Sequence, residues 1–227
     1  MGDEQISEAN GGARTMASTL AESILRDIVK GVLRPGSKLK VRELSDRYRA
    51  GPIPVREALS RLAMSGFVDA EDQRGFRVTA ISKEDLADIT RVRQRLETDA
   101  LRDAMTFGGV AWEGAVLAAY HQLTCVPITL PSDPSAMNPA WERAHDQFHE
   151  TLLSGSRSRW LKQFASTLRI QTARYRHQSI RSEHATERDV VKEHDNIIQA
   201  VLARDADLAC DLLAKHFDAT ANLLMSD

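Results

Sequence analysis

Apolar residues recur at helical spacing along most of this chain, and the exceptions fall in a few short stretches. Residues 19–30 carry Leu20, Ile24, Leu25, Ile28 and Val29 on one stripe. This predicts an amphipathic helix with Ser18 or Thr19 as N-cap and Gly31 as its stop. Arg34-Pro35-Gly36 reads as a turn, and residues 41–48 as a short second helix. From Gly51 to Val68 two prolines precede a third amphipathic segment. Pro54 suits a first helical turn, Leu59, Leu62 and Ala63 form the stripe, and Arg56, Glu57, Ser60 and Arg61 lie off it. Residues 67–70 and 75–79 read as two short strands joined by the polar turn 71–74. Helix, helix, helix and hairpin predict a winged helix-turn-helix, whose third helix presents its N-terminal end to the DNA major groove.

Beyond Ser82 the period is helical. Spans at 82–106, with Ser82 and Asp85 as a capping-box-like start, 110–125, 138–154, 156–181, 186–203 and 205–224 predict six helices. Val126 to Pro139 holds four of the seven prolines and is expected to be a loop. The chain therefore reads as mainly α: a flexible tail at 1–15, a winged helix-turn-helix at 16–80, and an all-α bundle of about six helices at 81–227. Trp112, Trp141 and Trp160 are expected to pack that bundle, and the basic run from Arg169 to Arg181 to form a solvated face.

Composition narrows this picture only in places. With 227 residues and 42% hydrophobic content the chain can build a real core. No apolar run approaches the roughly 18 residues of a membrane span, and the N-terminus lacks the basic and apolar regions of a signal peptide. Two cysteines make no disulfide framework, so the expected setting is the cytoplasm. The net charge of −2 hides an asymmetry: residues 16–80 hold 12 Lys/Arg against 8 Asp/Glu, while 81–227 hold 17 against 21. A mildly basic head on an acidic remainder fits a DNA-binding module joined to a domain with another task.

Four of the seven histidines form a pattern. His145 and His149 are spaced i, i+4 on one helical face and can chelate one ion. His194 lies 10 residues before Arg204 and His216 lies 12 after it, so a turn near Arg204-Asp205 brings them to similar height. Three helices thus direct four imidazoles toward one cavity. Imidazole suits Zn²⁺, the default, and also Ni²⁺, Co²⁺ or Fe²⁺. A rival reading takes His145-Asp-Gln-Phe-His149 as a relative of the zinc-peptidase H-E-x-x-H helix. Arg93 and Glu97, at i, i+4 with Arg first, are either an intrahelical ion pair or a carboxylate-binding element.

The blocks "GVLRPGSKL", "VRELSDRY", "PVREALSRLAMSGFV" and "RGFRV" resemble the winged-helix head of the GntR family of bacterial transcriptional regulators. The remainder resembles the helical effector domain of the FadR-like subfamily. That resemblance implies DNA contacts from Arg42, from Arg56 at the start of the recognition helix, and from Arg74 and Gly75 at the wing tip. It further implies a homodimer on double-stranded operator DNA, a small organic-acid effector, no enzymatic activity, and more often repression than activation. The histidines resemble the metal-binding subset, which has three His and an Asp four residues before the first; here that position is His145, with Asp146 beside it. An Arg at position 93 is expected to face the effector, and Arg174 or Tyr175 to reach the cavity. Where the family has Ser-Arg-Thr-Pro, this chain has Gly51-Pro52-Ile53-Pro54. Base readout is therefore expected to rest on Arg42 and Arg56, with Ile53 against a thymine methyl. Alternatives to a metabolite-responsive regulator are a regulator that senses the ion itself and a zinc hydrolase with a DNA-binding head.

Overall fold

The computed structural model describes residues 15–71, 75–180 and 188–226. The expected tail thus falls almost wholly outside the described residues, as does the tip of the expected hairpin, with Arg74. The chain divides into two compact units, Met1–Ala80 and Ile81–Asp227.

The first unit contains α1 (Met16–Val29), β1 (Lys38–Leu39), α2 (Val41–Tyr48), α3 (Pro52–Met64), β2 (Val68–Glu71) and β3 (Gly75–Val78). The N-cap of α1 is Thr15, whose hydroxyl accepts from the Ser18 amide at 3.2 Å, three or four residues before the expected Ser18 or Thr19. Propensity alone cannot place an end where Ala17 and Leu20 continue the buried face. Gly51 caps α3, so both prolines stand within its first turn, where no N–H is lost. The sheet runs β1-β3-β2, antiparallel throughout, with Val68 opposite Val78 and Glu71 opposite Gly75. Two-residue β1 was not separable from the lead into α2 by pattern. Ile24, Ile28, Leu44, Val55, Leu59, Phe67 and Val78 close the core of this unit.

The second unit has six helices among the described residues: α4 (Lys83–Phe107), α5 (Val110–Thr124), α6 (Pro139–Ser154), α7 (Arg159–Ser179), α8 (Val190–Leu202) and α9 (Ala206–Ser226). Ser82 caps α4, its Oγ accepting from the Asp85 amide at 3.1 Å. The segment expected as a loop contains an antiparallel hairpin, β4 (Thr129–Leu130) with β5 (Asp133–Met137). Its prolines Pro131 and Pro134 stand at the tip and edge, where no ladder donor is required. Trp112 and Trp141 are buried, but Trp160 is 53% exposed and stacks on Phe164 at the surface, contrary to expectation.

The junction of α4 and α5 is tightly built. A Cβ at Gly108 would lie 2.6 Å from both the Ala104 carbonyl and Trp112 Cδ2. Arg204, in the left-handed region at φ 58°, donates to the Gly108 carbonyl at 2.9 Å from the turn between α8 and α9. Gly108→Ala is expected to lower stability by about 2 kcal/mol and the melting midpoint by roughly 4–8 °C, because backbone and a buried indole must both move. Thermal unfolding followed by circular dichroism checks this.

Candidate functional site

α6 starts at Pro139 behind Asn138, whose side chain accepts from the Ala140 amide at 2.9 Å. This fixes the helix that presents His145 and His149, whose ring centroids stand 4.5 Å apart. α8, capped by Asp189, carries His194, and the reversal at Arg204 returns α9 so that His216 meets it at 4.6 Å between centroids. One ligating nitrogen of each of the four rings lies within 4.8 Å of the others. The rings are between 1% and 5% exposed, and those of His149 and His194 stand edge-on to the buried ring of Phe148.

Burial disfavours the imidazolium form at all four positions, and neighbouring guanidinium or imidazole groups add to it. His145, His149 and His194 are held well below the usual histidine range, and His216 is lowered to about 4. Four neutral imidazoles therefore face one point. His145 Nδ1, both ring nitrogens of His149 and His194 Nε2 are buried with no hydrogen-bond partner among the described residues. Orphaned buried nitrogens are rare in folded proteins, because each loses its hydration without return. Lone pairs converging at this spacing fit a divalent transition ion.

Glu193 fixes one of these rings. Its Oε2 lies 2.6 Å from His216 Nδ1, so Nδ1–H donates and Nε2 is left as the basic nitrogen. Arg188 holds the same carboxylate through Nε and Nη2 at 2.8 and 2.6 Å. Burial pushes the Glu193 carboxyl up, but the bonds from Arg188 and His216 outweigh it and bring it to about 2. Neither Glu193 nor Arg188 was picked out from the sequence. The available signal was adjacency: a carboxylate one residue before His194 on α8, one turn from the helix start.

His145 and His216 open on a small cavity that Arg93, Trp141, Arg176 and Arg188 also line. Arg93 makes the intrahelical ion pair and also lines the cavity. Its Nε donates to Glu97 Oε1 at 2.7 Å, its Nη1 donates to Thr172 at 3.0 Å, and its guanidinium covers the Phe217 ring at 4.0 Å while lining the cavity. Glu97 is fully buried and serves as the anchor of Arg93; it is not a lining residue. The basic run on α7 departs from expectation. Arg169, Arg174 and Arg176 are all buried, and it is Arg176, not Arg174 or Tyr175, that reaches the cavity. Arg174 donates to Gln171, and the Tyr175 hydroxyl donates to Asp85 at the start of α4. Asp146 pairs with Arg176 at 3.1 Å, and the same oxygen stands 3.7 Å from His145 Nδ1.

In the first unit, Arg42 is the second residue of α2 and Arg56 lies in the second turn of α3. Both are exposed and have no side-chain partner among the described residues. Ile53 is 78% exposed at the start of α3, an apolar side chain left in water at the end that helix-turn-helix proteins present to bases. Gly75, at φ 97°, starts β3 with a conformation that favours glycine. Arg74 lies outside the described residues.

The model of bacterial regulatory proteins of the gntR family matches residues 16–78, and that of the FCD domain matches residues 88–219. The HTH-type transcriptional regulator BphR of Paraburkholderia xenovorans is 34% identical over 227 residues, covering 98% of this chain and 92% of that one. The HTH-type transcriptional repressor GlaR of Escherichia coli is 34% identical over 194 residues, covering 84% and 87%. Among solved structures, Escherichia coli McbR/YncC has a TM-score of 0.74 at 18% identity over 93% of this chain and 98% of that one. A putative GntR regulator of Rhodococcus sp. RHA1 has a TM-score of 0.71 at 20% identity with the same coverage. These two likenesses establish the fold.

Proposed function

Because the chain belongs to the gntR family of bacterial regulatory proteins, as a transcriptional regulator with an FCD domain, we propose that it is a repressor answering to a small carboxylate bound beside a divalent metal. The observation that carries this reading is the set of four buried imidazoles opening on an arginine-lined cavity, three of which carry nitrogens with no hydrogen-bond partner among the described residues. His145, His149, His194 and His216 are the proposed ligands. An ion held by them supplies a Lewis-acidic seat for an anion. The four uncharged ligands leave that charge uncompensated, so the attraction for an anionic effector exceeds that of a three-His, one-Asp set. Arg93 is proposed to contact the effector with Glu97 behind it.

Relatives are named as transcriptional regulators, so the chain is a regulator and not a hydrolase. Pairing of Asp146 with Arg176 also leaves the peptidase-like motif without a disposed base. No helix among the described residues is long and apolar enough to cross a membrane. In this reading the chain acts in the cytoplasm as a homodimer on pseudo-palindromic operator DNA, as helix-turn-helix symmetry favours. Arg42, Ile53, Arg56, Arg74 and Gly75 are the proposed contacts.

Binding to DNA from its own promoter, measured across salt concentrations, tests the regulator reading: a steep inverse salt dependence is expected. Adding a chelator and then organic acids separates a metal sensor from a metabolite sensor. A metabolite changes affinity by roughly 5–150-fold only while metal is present, whereas a metal sensor responds fully to the chelator alone. Glu193→Gln is expected to weaken metal binding by about 10–100-fold, because the second ligand of a coordinated imidazole sets its basicity and orientation. Competition with a metal-binding dye reads this, and an unchanged melting midpoint of the metal-free variant separates positioning from folding.

A further inference from the structure

Among the described residues, two that are not glycine adopt left-handed backbone: Arg49 at φ 51° and Arg204 at φ 58°. That conformation crowds Cβ against the following carbonyl, so an arginine keeps it only where something offsets the strain. At Arg204 the offset lies within the protein. Its guanidinium donates to Glu113 at 2.6 Å, to the Gly108 carbonyl at 2.9 Å and to the Met105 carbonyl. Arg49 closes α2, where the Ala50 amide reaches back to the Ser45 carbonyl at 3.0 Å. Such a helix end requires left-handed backbone, for which glycine is the least strained residue. The other positive-φ positions described in the first unit are Gly31, Gly36, Gly66 and Gly75. The Arg49 side chain, unlike that of Arg204, is exposed and has no partner among the described residues. Arg47, two residues earlier, is tied to Asp27 at 2.9 Å. Arg49 is thus a strained cation whose guanidinium is left free.

Its place in the fold names the partner. Arg49 stands in the turn between α2 and α3, at most about 7 Å of chain before Gly51, the cap of α3. A helix-turn-helix presents this end of its second helix to DNA. Backbone amides and cap hydroxyls are the usual phosphate donors at such an end. In this chain they are nearly gone. Gly51 has no cap side chain, Pro52 and Pro54 have no N–H, and Ile53 alone among the first three residues of α3 keeps its amide. We infer that Arg49 binds a phosphate of the DNA backbone, supplying from the turn the anchor that α3 itself lacks. Its planar fork matches two phosphate oxygens, and a backbone contact carries no base preference. The inference rests on the head binding DNA through α3, as proposed above.

Full-length Arg49→Gly, Arg49→Asn and Arg49→Lys, titrated by fluorescence anisotropy against promoter and scrambled duplexes at several salt concentrations, test it. Glycine and asparagine tolerate left-handed backbone, so the melting midpoints of those two variants are expected to be no lower than the parent's. Their affinity is nevertheless expected to fall by about 5- to 20-fold on both duplexes, with the salt slope reduced by about one. Lysine retains both the strain and the charge, and is expected to keep the parent's salt slope and most of its affinity. Parent-like affinity and slope in the glycine and asparagine variants overturn the inference. A loss confined to the promoter duplex overturns it as well, since that marks a base contact. So does a loss of slope that the lysine variant shares. Arg42→Ala with Arg56→Ala, measured alongside, keeps the two readings apart. If that double variant weakens binding while the Arg49 variants do not, the inference alone fails. If none of the four differs from the parent, the reading of the α3 end as the DNA-binding face fails with it.

Discussion

Stripping the purified chain with a chelator is expected to lower its melting midpoint by roughly 10 °C, and re-adding Zn²⁺ to restore it. An ion at a thousand times its dissociation constant stabilises the folded state by about 4 kcal/mol. Each kcal/mol moves the midpoint of a chain this size by about 2–4 °C. The physical reason lies in the apo site: four desolvated imidazoles converge, three of them, His145, His149 and His194, with nitrogens that have no hydrogen-bond partner among the described residues, and a cation recovers what their burial forfeits. His149→Ala, which removes the ring with both nitrogens orphaned, is expected to abolish the chelator-dependent shift and to leave the protein with sub-stoichiometric metal. Identical metal content in His149→Ala and the parent chain, with no shift in either, would sink the metal site.

The second large effect concerns DNA. Arg42→Ala combined with Arg56→Ala is expected to weaken binding to promoter DNA by about 30- to 25,000-fold. Each lost arginine contact costs about 1–3 kcal/mol, and the two sit on different helices. Neither side chain has a partner among the described residues, so the stability of the double variant is expected to stay within about 0.5 kcal/mol of the parent's. Fluorescence anisotropy with promoter and scrambled duplexes distinguishes the roles. An arginine on a base edge lowers only the promoter affinity, whereas one on a phosphate lowers both and reduces the salt slope by about one. Unchanged affinity in the double variant would remove these residues from the interface.

Much of the fold was legible because its determinants are local. Helical periodicity with caps and prolines gave the helices of both units, and His194 and His216 meet because they lie at similar distances on either side of Arg204 along two antiparallel helices, with His145 and His149 one turn apart on α6. Where sequence reading failed, the deciding contacts were remote in sequence. Arg169, Arg174 and Arg176 look like a solvated face on α7, yet Glu150 and Asp146 from α6 permit the burial of Arg169 and Arg176, and Gln171 takes the Arg174 guanidinium. Glu193 and Arg188 acquire their roles only when α9 places His216 between them. The Val126–Pro139 hairpin was hidden because its prolines read as loop formers, although they occupy the tip and edge where a short ladder tolerates them. Trp160 was assigned to the interior by residue type, and type alone does not fix which side of a helix faces the core.

Trp141 stacks on His145 with ring centroids 4.7 Å apart and an interplanar angle of 29°, and it is 4% exposed, whereas Trp160 is 53% exposed. The proposed metal centre therefore carries its own optical reporter. Iodide in solution quenches Trp160 and leaves the buried indoles emitting. A paramagnetic ion such as Ni²⁺ or Co²⁺ at the histidines then darkens the emission of Trp141, while Zn²⁺, with its filled d shell, leaves it bright. A single emission spectrum is thus expected to tell which kind of ion the proposed site takes up, without any label.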